Sequence, residues 1–244
     1  MFNFLINPSK FNEFANIIFK PLCVISLLIL GVGLFLVYNS PLDYQQGLTV
    51  KIMYIHVPSA WLALLTYAIM TIYSIVGLAF KIPFSFIINK AIAPIGAVFT
   101  LLCLISGSLW GKPMWGTWWV WDARLTSVLI LFFLYIGFIT LYHSFDDRSR
   151  GAKAASILAL VGAINLPIIK FSVDWWNTLH QPASVVKLSG PAIHTSMLTP
   201  LFVMAFAYIC FYFWILIIRL KATSNLTKIR AFEARQINIE REVD

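Results

Sequence analysis

Long apolar runs separated by short polar or charged segments make up most of this chain of 244 residues. A helix of about 20 apolar residues is enough to cross the hydrocarbon core of a membrane. The predicted spans are about 21–38, 57–80, 91–109, 125–145, 154–169 and 198–218. The alternation that membrane barrel strands need is missing. The pattern therefore predicts an all-α integral membrane protein, with six transmembrane helices in a single polytopic domain, 1–244.

Composition supports a membrane protein. The chain is 60% hydrophobic and 11% charged, with a mean hydropathy of +0.83, whereas soluble domains are about 45–50% apolar and about 25% charged. The formal net charge of +8 lies in loops and tails, which argues against nucleic-acid binding. Cys23, Cys103 and Cys210 each lie inside an apolar run and form no metal-type or haem-attachment spacing. Disulfide, covalent haem and structural-metal sites therefore lose support.

The distribution of Lys and Arg predicts the orientation. With both termini in the cytoplasm, thirteen of the eighteen basic residues face that side and five face the other, as the positive-inside rule requires. The cytoplasmic residues are Lys10, Lys20, Lys81, Lys90, Arg148, Arg150, Lys153, Arg219, Lys221, Lys228, Arg230, Arg235 and Arg241. The outer residues are Lys51, Lys112, Arg124, Lys170 and Lys187.

A tryptophan-rich segment, Trp110–Arg124, is predicted as an interfacial loop on the outer face. It contains five of the nine tryptophans of the chain: Trp110, Trp115, Trp118, Trp119 and Trp121. One such residue would be an ordinary interface anchor, but five exceed that need and suit a platform for a flat apolar ligand. Helical spacing from Trp115 to Asp122 also fits a short interfacial helix, and a purely anchoring helix would have the same spacing.

Two histidines share this predicted outer face. His56 heads the second span, and His180 lies in the second outer loop, 170–197. Imidazole is a good iron ligand, so a haem lying on tryptophan faces could take one histidine on each side. Lys112 and Arg124 are then candidates to meet the propionates, and Asp122 could neutralise Arg124 or accept a Trp N–H.

Plainer interpretations of the histidines stay open at this point. A single interfacial histidine is more often a hydrogen-bonded surface residue than a ligand, although two beside a tryptophan cluster make that less convincing. His143 is expected near the cytoplasmic face as an interface residue. His194 lies on the outer side, and composition alone does not exclude it as a ligand.

The motifs resemble one family over nearly the whole chain. W-G-K-P-M-W-G-T-W-W-V-W-D-A-R-L-T-S resembles the WWD signature of haem-handling membrane proteins of cytochrome c biogenesis. D-Y-Q-Q-G at 43–47, M-Y-I-H-V-P at 53–58, A-P-I-G-A-V-F-T at 93–100 and W-W-N-T-L-H-Q at 175–181 narrow the match. Together they resemble the cytochrome c maturation protein C family (CcmC, the haem exporter protein C family).

That resemblance implies a carrier of haem b in the bacterial inner membrane, with no catalytic turnover of its own. It implies that the WWD segment holds haem at the periplasmic face and that His56 and His180 ligate the iron. The implied partners are the haem chaperone CcmE, the ATP-hydrolysing transporter pair CcmA and CcmB, and the small membrane protein CcmD. The chain has no phosphate-binding glycine loop, so ATP hydrolysis would belong to a partner.

Three other functions compete with this interpretation. A b-type cytochrome would transfer electrons, but it usually places paired histidines within the membrane. A haem permease would need polar groups at mid-membrane, and the predicted spans hold few beyond Ser, Thr and Asn165. A structural anchor would use the tryptophans only to set depth and would bind no haem.

Overall fold

The structure is a computed structural model that describes residues 8–181, 184, 185, 187 and 190–243. Within these ranges every regular element is helical. The α-helices are α1 (Pro8–Asn39), α2 (Met53–Ala79), α3 (Pro83–Trp115), α4 (Ala123–His143), α5 (Arg148–Gly162), α6 (Asn165–Trp175) and α7 (Thr195–Val243). A 3-10 helix, Leu48–Ile52, leads directly into α2.

Six helical stretches are long and apolar enough to cross a membrane. They are Lys10–Asn39, Leu48–Ala79, Pro83–Trp115, Ala123–His143, Arg148–Trp175 and Thr195–Leu226. The fifth stretch consists of α5 and α6, which are separated by a turn at 163–164. The predicted all-α architecture with six spans is thereby confirmed.

The helices run beyond the apolar runs that predicted them. α6 continues to Trp175, inside the predicted loop 170–197, and α7 begins at Thr195 and continues through the basic tail. The reason is that Lys, Arg, Glu and Gln propagate a helix almost as well as apolar residues do. In the predicted loop 170–197, residues 182, 183, 186, 188 and 189 lie outside the described residues. In the basic tail, the side chains of Lys228, Arg230, Arg235 and Arg241 also lie outside the description.

The bundle is built from helix pairs. α2 packs along α3, α1 packs along α7, and α4 packs between α3 and α5. Small residues admit large rings at the centre: a Cβ on Gly96 would collide with the ring of Tyr135, whose hydroxyl donates to the carbonyl of Ala63 at 2.7 Å. Such contacts fix α2, α3 and α4 relative to one another, and these helices carry five of the ten residues that were predicted to form the site.

Candidate functional site

The tryptophan-rich segment is part helix and part extended chain. α3 continues to Trp115 and ends at Gly116, whose positive φ of 74° suits glycine and whose N–H bonds to the Lys112 carbonyl at 3.0 Å. Residues 116–122 are not helical, and α4 begins at Ala123 with Asp122 as its N-cap. The alternative of a short interfacial helix from Trp115 to Asp122 is therefore wrong, because Gly116 ends the helix at that point.

His56 lies in the first turns of α2 and faces the middle of α3. Its Nδ1 is 3.1 Å from the carbonyl oxygen of Cys103 and 3.1 Å from Oγ of Ser106. A carbonyl can only accept, so Nδ1 must carry the proton and donate it. The Nε2 atom of His56 then holds the lone pair that a metal ion would use. Metal-binding histidines commonly have this arrangement, with the second ring nitrogen donating to a carbonyl or carboxylate.

A glycine makes room for this ring. A Cβ built on Gly107 would lie 2.9 Å from Cε1 of His56, so a larger residue would displace the imidazole. Sequence reasoning missed Gly107, Cys103 and Ser106, because they lie about 50 residues from His56 along the chain. Their spacing of i, i+3 and i+4 predicts that Cys103, Ser106 and Gly107 share one face of a helix. Nothing in the sequence connects that face to His56.

His180 is held by a carboxylate. Its Nδ1 is 3.1 Å from Oδ2 of Asp122, while Oδ1 of the same carboxylate accepts the backbone N–H of Leu125 at 2.7 Å. Because an ionised carboxylate only accepts, Nδ1 of His180 donates and its Nε2 is the nitrogen left for a ligand. Asp122 therefore begins α4 and orients His180 at the same time. These hydrogen bonds differ from the predicted bond to a Trp N–H, while the predicted interaction with the charge of Arg124 is present.

Each of these two imidazoles packs edge-on against a tryptophan near the end of α3. The ring of His56 is 5.8 Å from that of Trp110, and the ring of His180 is 5.0 Å from that of Trp115. The two histidines are also close enough for their charges to interact. The structure thus brings His56 and His180 together around the last turns of α3.

The other two histidines have the opposite hydrogen-bond polarity. Nδ1 of His194 accepts the backbone N–H of Ser196 at 3.3 Å, at the start of α7. Nδ1 of His143, at the end of α4, lies 3.1 Å from a guanidinium nitrogen of Arg148, which can only donate. His143 is also at the end of the bundle away from the tryptophan-rich segment. By contrast, Nδ1 of His56 and of His180 meets a carbonyl or carboxylate oxygen, which can only accept. Nδ1 of His194 also lies 2.8 Å from Ser196 Oγ, a hydroxyl that can donate or accept.

The remaining tryptophans of the segment differ in exposure. Trp118 and Trp121 are exposed, Trp121 by 75%, whereas Trp119 is partly buried and its ring lies 5.5 Å from that of Trp121. The Trp119 indole N–H is buried without a partner among the residues that the structure describes. Trp110 instead donates its indole N–H to Gln46 Oε1 at 2.9 Å. Trp118 and Trp121 supply open aromatic faces, and Trp119 supplies a donor.

The two predicted cations are placed differently. Lys112 Nζ donates to the Gly116 carbonyl at 3.0 Å and lies 5.7 Å from the ring centre of Trp118, so it stays at the exposed surface. Arg124 donates from Nε to Ser172 Oγ at 3.0 Å, with further contacts to backbone carbonyls of α6. Arg124 therefore ties α4 to α6, while Lys112 lies beside an open tryptophan face.

The electrostatics of His180 favour the neutral ring. Burial lowers the pKa of His180 below its ordinary value, and the hydrogen bond and charge of Asp122 oppose this effect only in part. A neutral imidazole is the form that coordinates a metal. Within the described ranges there is no group of three or more His, Cys, Asp or Glu that could hold a bare metal ion. Two imidazoles could instead supply axial ligands to an iron that a macrocycle holds.

Comparison with known proteins identifies the family. The family described as Heme exporter protein C matches residues 1–235. Heme exporter protein C of Bradyrhizobium diazoefficiens is 54% identical over 204 residues, 84% of this chain and 78% of the relative. The Escherichia coli K12 protein of that name is 47% identical over 195 residues, 80% of this chain and 78% of the relative.

A plant relative extends the match. A putative cytochrome c biosynthesis ccmC-like mitochondrial protein of Marchantia polymorpha is 54% identical over 166 residues, which cover 68% of this chain and 70% of the relative. The family match spans nearly the whole chain, and it includes both histidines and the tryptophan-rich segment. This multi-pass membrane chain belongs to the heme exporter protein C family.

Proposed function

We propose that the protein binds haem b beside the tryptophan-rich segment and carries it for cytochrome c biogenesis. His56 and His180 provide the two axial ligands through Nε2. The names of the relatives, heme exporter and cytochrome c biosynthesis protein, support this class of function. The protein acts as a carrier and has no catalytic turnover of its own.

The hydrogen bonds of the two imidazoles carry the proposal. Each Nδ1 donates to an oxygen, the carbonyl of Cys103 for His56 and the carboxylate of Asp122 for His180. Both rings are therefore fixed in the tautomer that leaves Nε2 to coordinate iron. A histidine that only anchors a helix at an interface has no need of this polarity, and Nδ1 of His143 and of His194 instead faces an N–H donor.

The surrounding residues fit a porphyrin. Trp118 and Trp121 offer exposed aromatic faces for stacking, and the partnerless N–H of Trp119 suits a carboxylate oxygen of a propionate. Lys112 is placed at the exposed edge to pair with the same group. Arg124 contributes by fixing α4 against α6 and needs no direct contact with haem.

The orientation and the partners belong to the same proposal. With both termini in the cytoplasm, thirteen of the eighteen basic residues would face that side, which supports a bacterial inner-membrane protein with its haem site facing the periplasm. The exposed edge at Trp121 leaves room for the haem chaperone CcmE to approach. CcmA and CcmB, with CcmD, supply the ATP-driven step that releases the loaded chaperone.

The first experiment compares haem spectra of the purified full chain. His56→Ala and His180→Ala should each convert a six-coordinate, bis-histidine haem spectrum into a five-coordinate one. Binding should weaken without vanishing, because the tryptophan faces remain. His194→Ala serves as the control and should leave the spectrum unchanged. Unaltered axial ligation in both ligand variants would overturn the assignment.

A second experiment tests the orientation. In a background with Cys23, Cys103 and Cys210 replaced by Ser or Ala, a single cysteine at the exposed position Leu179 should react with an impermeant maleimide added outside intact spheroplasts. A cysteine at the exposed position Asp146, at the other end of the bundle, should react only after lysis. The reverse pattern would place the site in the cytoplasm.

A further inference from the structure

A small cavity with cations in its lining lies at the end of the bundle away from the tryptophan-rich segment. It has a volume of about 110 Å³ and opens between α3, α4 and α7, with Lys90, Tyr142, His143 and Arg219 among its lining residues. About 37 Å of α3, at 1.5 Å per residue, separates Lys90 from Trp115. The cavity is therefore independent of the proposed haem site, and nothing in that function uses it.

The cations of this cavity are held in place by the bundle. Lys90 Nζ lies 5.2 Å from the ring centre of Tyr142, which is buried. Arg219 donates from Nε to the carbonyl of Ala91 at 3.4 Å, across from α7 to α3. A guanidinium carries five N–H donors, so this bond leaves four for other acceptors. Both side chains are partly buried, which strengthens their attraction for an anion compared with freely hydrated surface lysines.

The charges around the cavity are mainly positive. Among the residues described around it, none is acidic. Arg148 adds a further cation at the rim through its contact with Nδ1 of His143 at 3.1 Å. The nearby acidic residues lie in the exposed α4–α5 connection, where Asp147 caps α5 and pairs with Arg150 at 3.5 Å. Asp146, beside it, is also exposed.

The cavity continues into apolar surface. Pro94 and Ile139 line its membrane side. One turn further along α3 is Val98, which is exposed, and one turn back along α4 is Ile136, also exposed. Residues at i and i+4 share a helix face, so Lys90, Pro94 and Val98 form a continuous strip from charge to hydrocarbon. A basic pocket beside an apolar strip at a membrane edge suits an amphiphile with an anionic headgroup and an apolar chain.

We propose that this cavity binds the phosphate group of an acidic membrane phospholipid, whose acyl chains lie along the strip. Basic pockets between transmembrane helices commonly bind such headgroups, and a guanidinium matches phosphate oxygens in geometry. A volume of about 110 Å³ accommodates a phosphate-sized group and is far too small for a porphyrin. The lipid fastens α7 to α3 and α4 at this end, opposite the haem site.

The test uses the full chain in nanodiscs that contain equal amounts of phosphatidylglycerol and phosphatidylcholine. The lipid retained after extraction into detergent is measured by native mass spectrometry. The protein should retain phosphatidylglycerol selectively. Lys90→Gln/Arg219→Gln should lower that enrichment at least tenfold, because a hydrogen bond from a cation to the charged phosphate contributes a factor of about ten or more.

The matched control is Arg150→Gln/Lys153→Gln, which removes the same charge from exposed positions at the same end of the bundle. It should retain phosphatidylglycerol as the unmodified protein does. Equal retention by the cavity variant, or equal loss in the control, would overturn the proposal. Thermal unfolding and the haem spectrum check that the cavity variant is folded, so that failure here leaves the haem proposal untouched.

A third arm separates the two sources of phosphate. Inorganic phosphate is added to delipidated protein, and its binding is followed by the same mass measurement. It should bind much more weakly than phosphatidylglycerol, because it lacks the acyl chains that cover Val98 and Ile136. Binding as tight as that of the lipid would identify a soluble anion as the ligand and overturn the lipid assignment.

Discussion

The two histidines of the proposed haem site are held by different parts of the molecule. His56 is fixed between two helices, because it sits on α2 and donates to the Cys103 carbonyl in α3. His180 lies on the connection after α6 and donates to the Asp122 carboxylate, which precedes α4. Helix packing determines the orientation of the His56 ring, whereas the Asp122 side chain determines the orientation of His180 in a loop.

This difference indicates how such a carrier can hold haem and still release it. α2 and α3 pack along much of their length, so we expect His56 to keep its position whether or not haem is bound. His180 depends on a single carboxylate and on chain that has no regular secondary structure. We therefore expect exchange of haem to begin with the bond to His180, and the predictions below test the two halves separately.

The largest effect is expected from Gly107→Val. The added side chain would meet the ring of His56, which a Cβ alone would approach to 2.9 Å, and packing of α2 on α3 prevents an easy retreat. Haem affinity should fall about a hundredfold, the upper end of effects seen when a ligand loses its support. Equilibrium haem titration measures this. Gly31→Val is the control, since nothing lies within 4 Å of a Cβ there; unchanged affinity at Gly107 would mean that His56 is mobile.

Asp122→Asn should have the next largest effect, on the His180 half. The Asn oxygen can still cap α4, but its NH2 group would then face Nδ1 of His180 and donate to it. The imidazole proton would shift to Nε2 and block iron binding. We expect a loss of affinity of about tenfold to thirtyfold and a five-coordinate spectrum. Asp147→Asn, which alters the α5 cap and an exposed ion pair with Arg150 at the other end of the bundle, is the control. A retained bis-histidine spectrum in Asp122→Asn would exclude this role.

A smaller change is expected from Trp119→Phe. This substitution keeps most of the ring and removes the buried N–H that has no partner among the described residues. Haem affinity should fall about fivefold, the net effect of losing one hydrogen bond. The free energy of unfolding without haem should stay the same, because no protein acceptor is lost. Trp121→Phe, at an exposed ring, is the comparison; equal losses would indicate stacking alone.

The pH dependence tests His180 directly. Iron and a proton compete for Nε2, and burial lowers the pKa of His180. A lowered pKa delays protonation as the pH falls, so haem affinity should be constant from about pH 8 to the ordinary imidazole value of about 6.5. Below that pH it should decline gradually. Haem titrations in a pH series measure this, and a decline that begins above pH 7 would contradict the sign of the shift.

The smallest effect is expected from Ser106→Ala. Nδ1 of His56 would lose its contact with Ser106 Oγ and keep the bond to the Cys103 carbonyl. Haem affinity should fall only about twofold to threefold, the net effect of one hydrogen bond among several. Ser59→Ala, which removes a hydroxyl bonded to the Ile55 carbonyl within α2, is the control. A loss larger than that of Asp122→Asn would show that His56 is the less securely held ligand.

Much of the architecture could be predicted because a membrane constrains it. Each span needs its own apolar run, so the six spans could be predicted from the pattern alone. The clustered tryptophans indicated only a candidate site. Where the helices end depended on local detail instead, such as the left-handed conformation of Gly116. Spacing alone suggested a helix across that residue.

The partners of the site residues could not be predicted in the same way. Asp122 meets His180 across 58 residues, and His56 meets Cys103 across 47. Arg124 was a candidate for the propionates because it is a cation near tryptophans, yet it bonds to Ser172. Hydrogen bonds between distant segments depend on which faces of the helices pack together. A hydrophobic pattern predicts that the helices pack, but it does not predict which residues meet.

The double role of Asp122 has a mechanical consequence. One oxygen holds the first turn of α4, and the other holds the imidazole of His180. The carboxylate thus links the position of α4 directly to the orientation of the proposed iron ligand His180. A partner that tilted α4 within the bilayer would move the Asp122 carboxylate and thereby turn His180 away from the proposed iron. Unloading could then be driven from inside the membrane, by a partner that never touches the haem.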